Sequence, residues 1–270
     1  MSTISAGTAA TNALVATGDT TGNLIFASTG VETARIDTSG RFGIGVTPSG
    51  SGLLELKAGT TSVAPVKLNS GTNLTSAAAG IVEYDGKVFY ATPQGTQRGV
   101  VPGMQFYRLD SSVAGANVNT AQNIFGVGVT LSGSTVYAFQ SIYALSKTTG
   151  TTSHSIQSGF GGNATLNNIA YVIQQYQNNS SLTSALVASS YQYIQTASAT
   201  SDNIGARTNA SQYSFFVVSG TVSINAGGTF IPQYTLTSAP GGAYTTAAGS
   251  YFLIYPIGSS GANISVGTWT

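Results

Sequence analysis

"STVYAFQSIYAL", residues 134–145, alternates from end to end. Tyr137, Phe139, Tyr143 and Leu145 fall on one side of an extended chain, with smaller or polar residues between most of them. A period of two marks a strand with one face in a core, because successive side chains leave a pleated strand on opposite sides. The same rhythm continues on both sides of this segment. "IFGVGVTL" places Phe125, Val127, Val129 and Leu131 on one face. "QYSFFVVSGTVSINAG", "GTFIPQYTLTS", "GSYFLIYPIG" and the terminal "ISVGTW" read as further strands, separated by turn clusters such as Gly227-Gly228 and "SAPGGA" at 238–243. Strands spaced in this way predict a sandwich or jelly roll. "SLTSALVASSYQYIQ" (181–195) is the best helical window, but its tail sets Tyr191 and Tyr193 against Gln192 and Ile194, which reads as a strand. No heptad run supports a coiled-coil shaft.

Upstream the texture changes. Residues 1–110 hold seven basic and seven acidic side chains, whereas 111–270 hold only Lys147, Asp202 and Arg207. Aromatics are sparse before Tyr107 and dense after it. Pro102-Gly103 favours a turn, and a boundary is expected there. "GNLIFAST", "ETARIDTSG", "GRFGIGV", "LLELKAG" and "APVKLNSG" read as short strands between glycine turns. In "IVEYDGKVFYAT" (81–92), Asp85-Gly86 between two apolar runs predicts a tight hairpin, with both turn residues at positive φ. Large apolar residues are few in this half, so it is expected to need neighbouring copies or another protein to share its burial.

Composition narrows the function. Charged residues make up 6% of 270, against about 25% in an ordinary domain. The net charge of +1 gives no electrostatic footprint for nucleic acid or anionic lipid. It also gives little resistance to self-association, and a homo-oligomer is expected. Without cysteine, no disulfide or thiolate metal site forms. "MSTISAGTAATNALVATGDTTG" has no basic n-region and no long apolar run, which argues against a signal peptide. No stretch of about 20 apolar residues reads as a membrane-spanning helix.

Four features invite chemistry. Gly43-Ile44-Gly45 suggests a phosphate loop, but Pro48 stands where a dinucleotide fingerprint needs its third glycine, and no helix pattern follows. The other reading is that Arg41, Gly43 and Gly45 share a strand face, where absent side chains let another backbone approach. Glu83 and Asp85, two apart, could sit at the separation of glycosidase carboxylates, but Asp85 also suits a turn and Glu83 a solvent-facing strand position. His154, the single histidine, alternates with Ile156 and Phe160 and reads as a packed structural residue. Three copies of it on a symmetry axis would be a candidate ion site. The Tyr/Asn/Gln-rich run 171–195 is the candidate contact surface, with Tyr171, Tyr176, Tyr191 and Tyr193 as its contact residues. Tyrosine offers a flat apolar face and a hydrogen bond at no charge cost. Half of these tyrosines are expected to face the core or a subunit interface.

"ARIDTSGRFGIGVTPSG", followed by "LLELKAGTTSVAPVKLNSGTNLTSAAAGIVEYDGKVFYAT", resembles a module of bacteriophage fibre and appendage proteins. That module runs Arg-hydrophobic-x-x-x-Gly-Arg-x-Gly-Ile-Gly, then Pro-hydrophobic-Lys-Leu-x-x-Gly-Thr, then an acidic-aromatic-Asp-Gly hairpin, and the match covers residues 31–92. Residues 219–258 are similar in strand and glycine pattern to the C-terminal strands of trimeric jelly-roll heads on phage virions. The resemblance implies a homotrimeric virion structural protein, assembled in the host cytoplasm and exposed on the particle. The expected architecture is all-β: an N-terminal attachment segment (1–50), a short β shaft or hairpin module (51–102) and a jelly-roll head (103–270). Its expected partners are copies of itself, capsid, collar or tail proteins held through residues 1–50, and a host-surface glycan or protein. No enzyme activity, cofactor, metal, nucleic-acid partner or membrane insertion is expected. The alternative is a capsid or collar decoration protein with a purely structural role.

Overall fold

The computed structural model describes residues 21–179, 181, 188–197, 200–201 and 205–269, and the side chains of all of these except 188–191, 200 and 201. Among them the chain is all-β, without a helix. It divides into two compact units, Met1–Leu68 and Asn69–Thr270. The Asp85-Gly86 hairpin therefore belongs to the larger unit.

The smaller unit is a four-stranded sheet of β1 (Leu24–Ser28), β2 (Val31–Ile36), β3 (Phe42–Ile44) and β4 (Leu54–Leu56), in that order. The first three are antiparallel, and β4 runs parallel to β3. Asp37 closes the β2–β3 loop: its Oδ1 accepts the amides of Ser39 and Arg41, and its Oδ2 accepts Arg41 Nε at 2.7 Å. Strand β3 stops at Ile44 because Gly45 takes φ 67°, which an extended strand cannot hold. Gly43 does permit a close approach, but the neighbours are the chain's own Val46 carbonyl and Pro48 ring, folded back over it. The approach of another strand's backbone, expected from the sequence, is thus replaced by the chain's return after β3. "APVKLNSG", expected as a strand, forms none.

Register fixes the faces of this sheet. Leu24, Ile36, Phe42 and Leu54 lie in one cross-strand row, and Phe26, Ala34, Ile44 and Leu56 in the next on the same side. Ile25, Arg35, Gly43 and Glu55 form the row on the opposite side. These two rows put eight apolar residues on one face. The described residues cover it only in part: Phe26 is 48% and Leu54 58% exposed, while Leu24, Ala34, Ile36, Phe42 and Leu56 are half-buried. Among the described residues of this unit only Gly43 and Pro48 are buried.

The larger unit opens with a three-stranded antiparallel sheet, β5 (Ile81–Tyr84), β6 (Phe89–Thr92) and β7 (Gly99–Val101). Its hairpin differs from the expected two-residue turn. Tyr84 pairs with Phe89, so four residues make the loop. Gly86 alone has positive φ, at 91°. Asp85 instead accepts the Lys87 and Val88 amides through Oδ1, each at 2.8 Å, and the side chain does the work of a second left-handed residue.

Two larger sheets follow. One contains β8 (Gln105–Arg108), β9 (Val113–Ala114), β12 (Thr135–Lys147), β14 (Thr165–Asn178), β15 (Ala188–Ile194), β17 (Gln212–Ala226), β19 (Thr245–Thr246) and β20 (Tyr251–Ser259). The other contains β10 (Gln122–Asn123), β11 (Val129–Leu131), β13 (Ile156–Gly161), β16 (Thr200–Ser201) and β18 (Gly228–Leu236). The alternation read from 134–145 is the inner face of β12: Tyr137, Phe139, Tyr143 and Leu145 are all buried. They share one cluster with Ile169, Phe216, Val218, Val222 and Ile224 of the same sheet and with Ile156, Phe230, Tyr234 and Leu236 of the other. This is consistent with a β-sandwich. Tyr143 donates to or accepts from Ser158 Oγ across that core at 2.7 Å, and its ring stacks on Phe216 at 4.6 Å.

The tail of the ambiguous window is a strand, β15. Residues 182–187 lie outside the described part. The expected terminal strand "ISVGTW" does not form: residues 264–269 have no sheet partner.

Candidate functional site

A groove at one edge of the sandwich stands out. Strand β20 sends Phe252 and Ile254 inward, and β8 pairs beside it with Tyr107 opposite Phe252 and Gln105 opposite Ile254. Phe106 takes the outer side, stacked on Tyr251 at 5.4 Å, and is 55% exposed. Strand β11 lies on the edge of the other sheet. Among the described residues β8 pairs with β20 alone and β11 with β18 alone, so each keeps one row of backbone groups unpaired. Between these edges is a groove of about 390 Å³. Tyr107 lines it on one side and Val127, Val129 and Thr130 on the other, and Phe125, Pro232, Phe252 and Ile254 lie beneath. Phe125 meets Tyr107 edge-on at 6.3 Å.

No charged side chain lines the groove, and its polar side chains are those of Gln105, Thr130 and Tyr107. Such a surface removes apolar groups from water and offers a few hydrogen bonds, which is the chemistry of recognition. The sequence places Phe125, Val127, Val129 and Leu131 on one strand face and marks no groove there; in the structure Phe125 is buried and Val127 exposed. The missing part was the partner strand β8, whose neighbour β20 lies about 145 residues downstream in the chain.

The tyrosines separate. Tyr171 is 1% exposed, packed against Phe160 at 5.1 Å, and burial pushes its phenol up to about 12. It is a core residue and drops out of the contact set. Tyr176 points to the other side of β14 and is half-buried, with its hydroxyl on Gln174 Oε1. Tyr193, on the edge strand β15, is 67% exposed. Position 191 pairs with Gln174, and its side chain lies outside the described part. The register puts positions 176, 191 and 193 on one side of the β14–β15 pair and Tyr171 on the other.

Glu83 and Asp85 are both occupied. Glu83 accepts the Leu74 amide at 2.6 Å and Arg98 Nε at 2.7 Å, and these hold its carboxyl below the usual range. Burial pulls the Asp85 carboxyl upward, but the Val88 and Lys87 amides and the Tyr90 hydroxyl outweigh it and leave it lowered. A general acid needs the opposite shift.

His154 is buried, with Nδ1 against the Thr152 carbonyl at 2.7 Å and Nε2 against the Tyr244 hydroxyl at 2.8 Å. A carbonyl only accepts, so Nδ1 carries the proton and Nε2 accepts from Tyr244. Neither nitrogen is left for a metal. The surroundings are cationic: Arg207 bridges the His154 backbone, and buried Lys147 lies nearby. The Lys147 ammonium spans the carbonyls of Thr149, Gly150, Asn209 and Ala210 at 2.7–3.2 Å, tying two loops together. The Gly43–Gly45 segment is filled by Val46, Pro48 and Lys57, which leaves no cradle for a phosphate.

No protein-family model matches the chain, and no curated protein matches it.

Proposed function

We propose that this chain is a structural protein of a bacteriophage virion: a homotrimeric fibre or appendage that works by binding. Its leading region docks on other virion proteins, and its larger unit is a jelly-roll head that meets the host surface. The observation that carries the reading is the partly exposed apolar face of the leading sheet, together with the scarcity of buried residues among the described residues of that unit. An eight-residue apolar face in water is costly, and copies of one chain about an axis offer one another a matching face. The charges of this sheet do not oppose such packing. Arg35 is paired with Glu32 and Arg41 with Asp37. The ordered motifs of residues 31–92 supply the virion assignment.

Fibre and decoration differ in whether the head binds anything. The aromatic-lined, uncharged groove favours a binding head. Sedimentation velocity of the purified chain tests the assembly, with three copies expected and residues 21–68 resistant to protease only in the assembled form. A protease-resistant single subunit in dilute solution refutes it. Purified head that competes with intact phage for cells supports host binding, and unaltered adsorption leaves decoration.

A further inference from the structure

The edge groove and the C-terminal segment have complementary deficits. The groove is bounded by two strand edges; its lining carries no charge, and the one charged side chain of β8, Arg108, sits at the strand's end, paired with Asp110. Natural sheet edges are usually protected by charge, twist or cover, and every residue of β8 is exposed. A row of unpaired N–H and C=O groups is met by another extended backbone, which repeats at about 3.3 Å per residue. A sugar or small aromatic molecule would fill the floor but leave those groups unpaired.

Asn263–Val266 has the character of a strand without a sheet, and Gly267, at φ 109°, ends it. Ile264 and Val266 alternate with Ser265 and Gly267, and no residue after Arg207 is charged. Ile264 is exposed, and Trp269 is 80% exposed. Within its own chain this segment lies elsewhere: Ile264 beside Gly258, and Val266 and Gly267 beside Arg98. Its own groove is not its resting place.

We infer that the groove between β8 and β11 receives Asn263–Val266 of a neighbouring copy as an added strand, with Ile264 and Val266 directed onto the exposed Tyr107 and Val127. The inference rests on the assembly part of the proposed function. Both surfaces are uncharged, and a net charge of +1 puts little repulsion between copies. A contact that joins two different surfaces closes into a trimeric ring when successive copies are related by a three-fold rotation, and otherwise continues as a filament.

The absence of native cysteine gives a direct test. Full-length chains carrying Val127→Cys, at the exposed groove wall, are mixed and reassembled with chains carrying Ile264→Cys, then treated with a mild oxidant. The expected result is a disulfide-linked pair at several-fold the yield of Val127→Cys with Ser39→Cys. An excess of synthetic peptide 261–270 should suppress it. Yield equal to the control in material that sediments as an oligomer overturns the inference and leaves the assembly intact. A second measurement does not need assembly: fluorescence anisotropy of the labelled peptide titrated with full-length chain. Binding weakened about tenfold or more by Val127→Lys, and by serine at peptide positions 264 and 266, supports the groove assignment even if the chain sediments as a monomer. Equal binding of the serine peptide, or none of either, overturns it.

Discussion

Replacing Tyr143 with Phe removes one oxygen and leaves the ring on Phe216. The lost hydroxyl is 2.7 Å from Ser158 Oγ, and both residues are buried, Tyr143 on β12 and Ser158 on β13. Tyr143→Phe therefore leaves the Ser158 hydroxyl without its cross-core partner, at a cost of about 1–3 kcal/mol. Ser158→Ala strands the phenol at a similar cost of about 1–3 kcal/mol. The double variant has no orphan, and it loses only the net worth of the bond, about 0.5–1.5 kcal/mol. The double should thus cost less than the two singles together, by roughly 3 kcal/mol, a coupling well above the additivity error of about 0.5 kcal/mol. Urea unfolding of all four proteins at pH 7, followed by tyrosine fluorescence and far-UV circular dichroism, measures this. For a unit of this size each single should also lower Tm by about 4–8 °C. Singles that add would refute the reasoning, because the two sheets would then not face each other at this register.

Three further outcomes follow from local geometry. Burial, the largest cause, lowers His154 below its usual range, so the unfolded chain takes the proton first. Stability is then full above an unfolded pKa of about 6.5 and falls as pH drops through it, by at most about 1.4 kcal/mol per unit. Thermal melts from pH 7.5 to 5 should show that loss, and His154→Asn should remove the slope; a wild-type Tm unchanged across the range contradicts it. Gly43→Ala drives a Cβ into the Val46 carbonyl and to 2.9 Å from Pro48 Cδ, whereas Gly40 has open space and only its φ of 75° to strain. Proteolysis within residues 21–68 should accelerate more for Gly43→Ala than for Gly40→Ala, and the reverse order would show that steric fit is not what fixes this turn. Asp85→Ala removes the acceptor of two amides and the Tyr90 hydroxyl, and should cost about 1–3 kcal/mol. Asp85→Asn, which keeps the Oδ1 acceptor, should recover much of it; no difference between the two in urea unfolding would rule out the side-chain turn.

Alternation decided what was legible. A pleated strand puts every second side chain into the core, so Tyr137, Phe139, Tyr143 and Leu145 announced the inner face of β12 without any knowledge of its neighbours. The same logic found β15 and the packed character of His154. It failed where a strand needs something beyond its own pattern. "ISVGTW" has the alternation but no sheet partner, and Asp85-Gly86 has the dipeptide but closes through a side chain. Tyr171 and Tyr193 are the same residue in the same polar run, yet one is core and the other exposed. Only pairing between β14 and β15 and the packing beneath them tells the two apart.

By itself, then, the order of residues determined an all-β chain with a charge-poor aromatic half and a leading half short of apolar residues to bury. Tertiary structure decided which apolar residues stay in water. The partly exposed apolar face of the leading sheet appears only when register sets Leu24, Ile36, Phe42 and Leu54 in one row. The edge groove appears only when β8 pairs with β20 and Phe125 comes beneath them. Periodicity is a local property of a strand, set by its own pleat. Exposure depends on which distant segments pair with it, and no single stretch of sequence carries that choice.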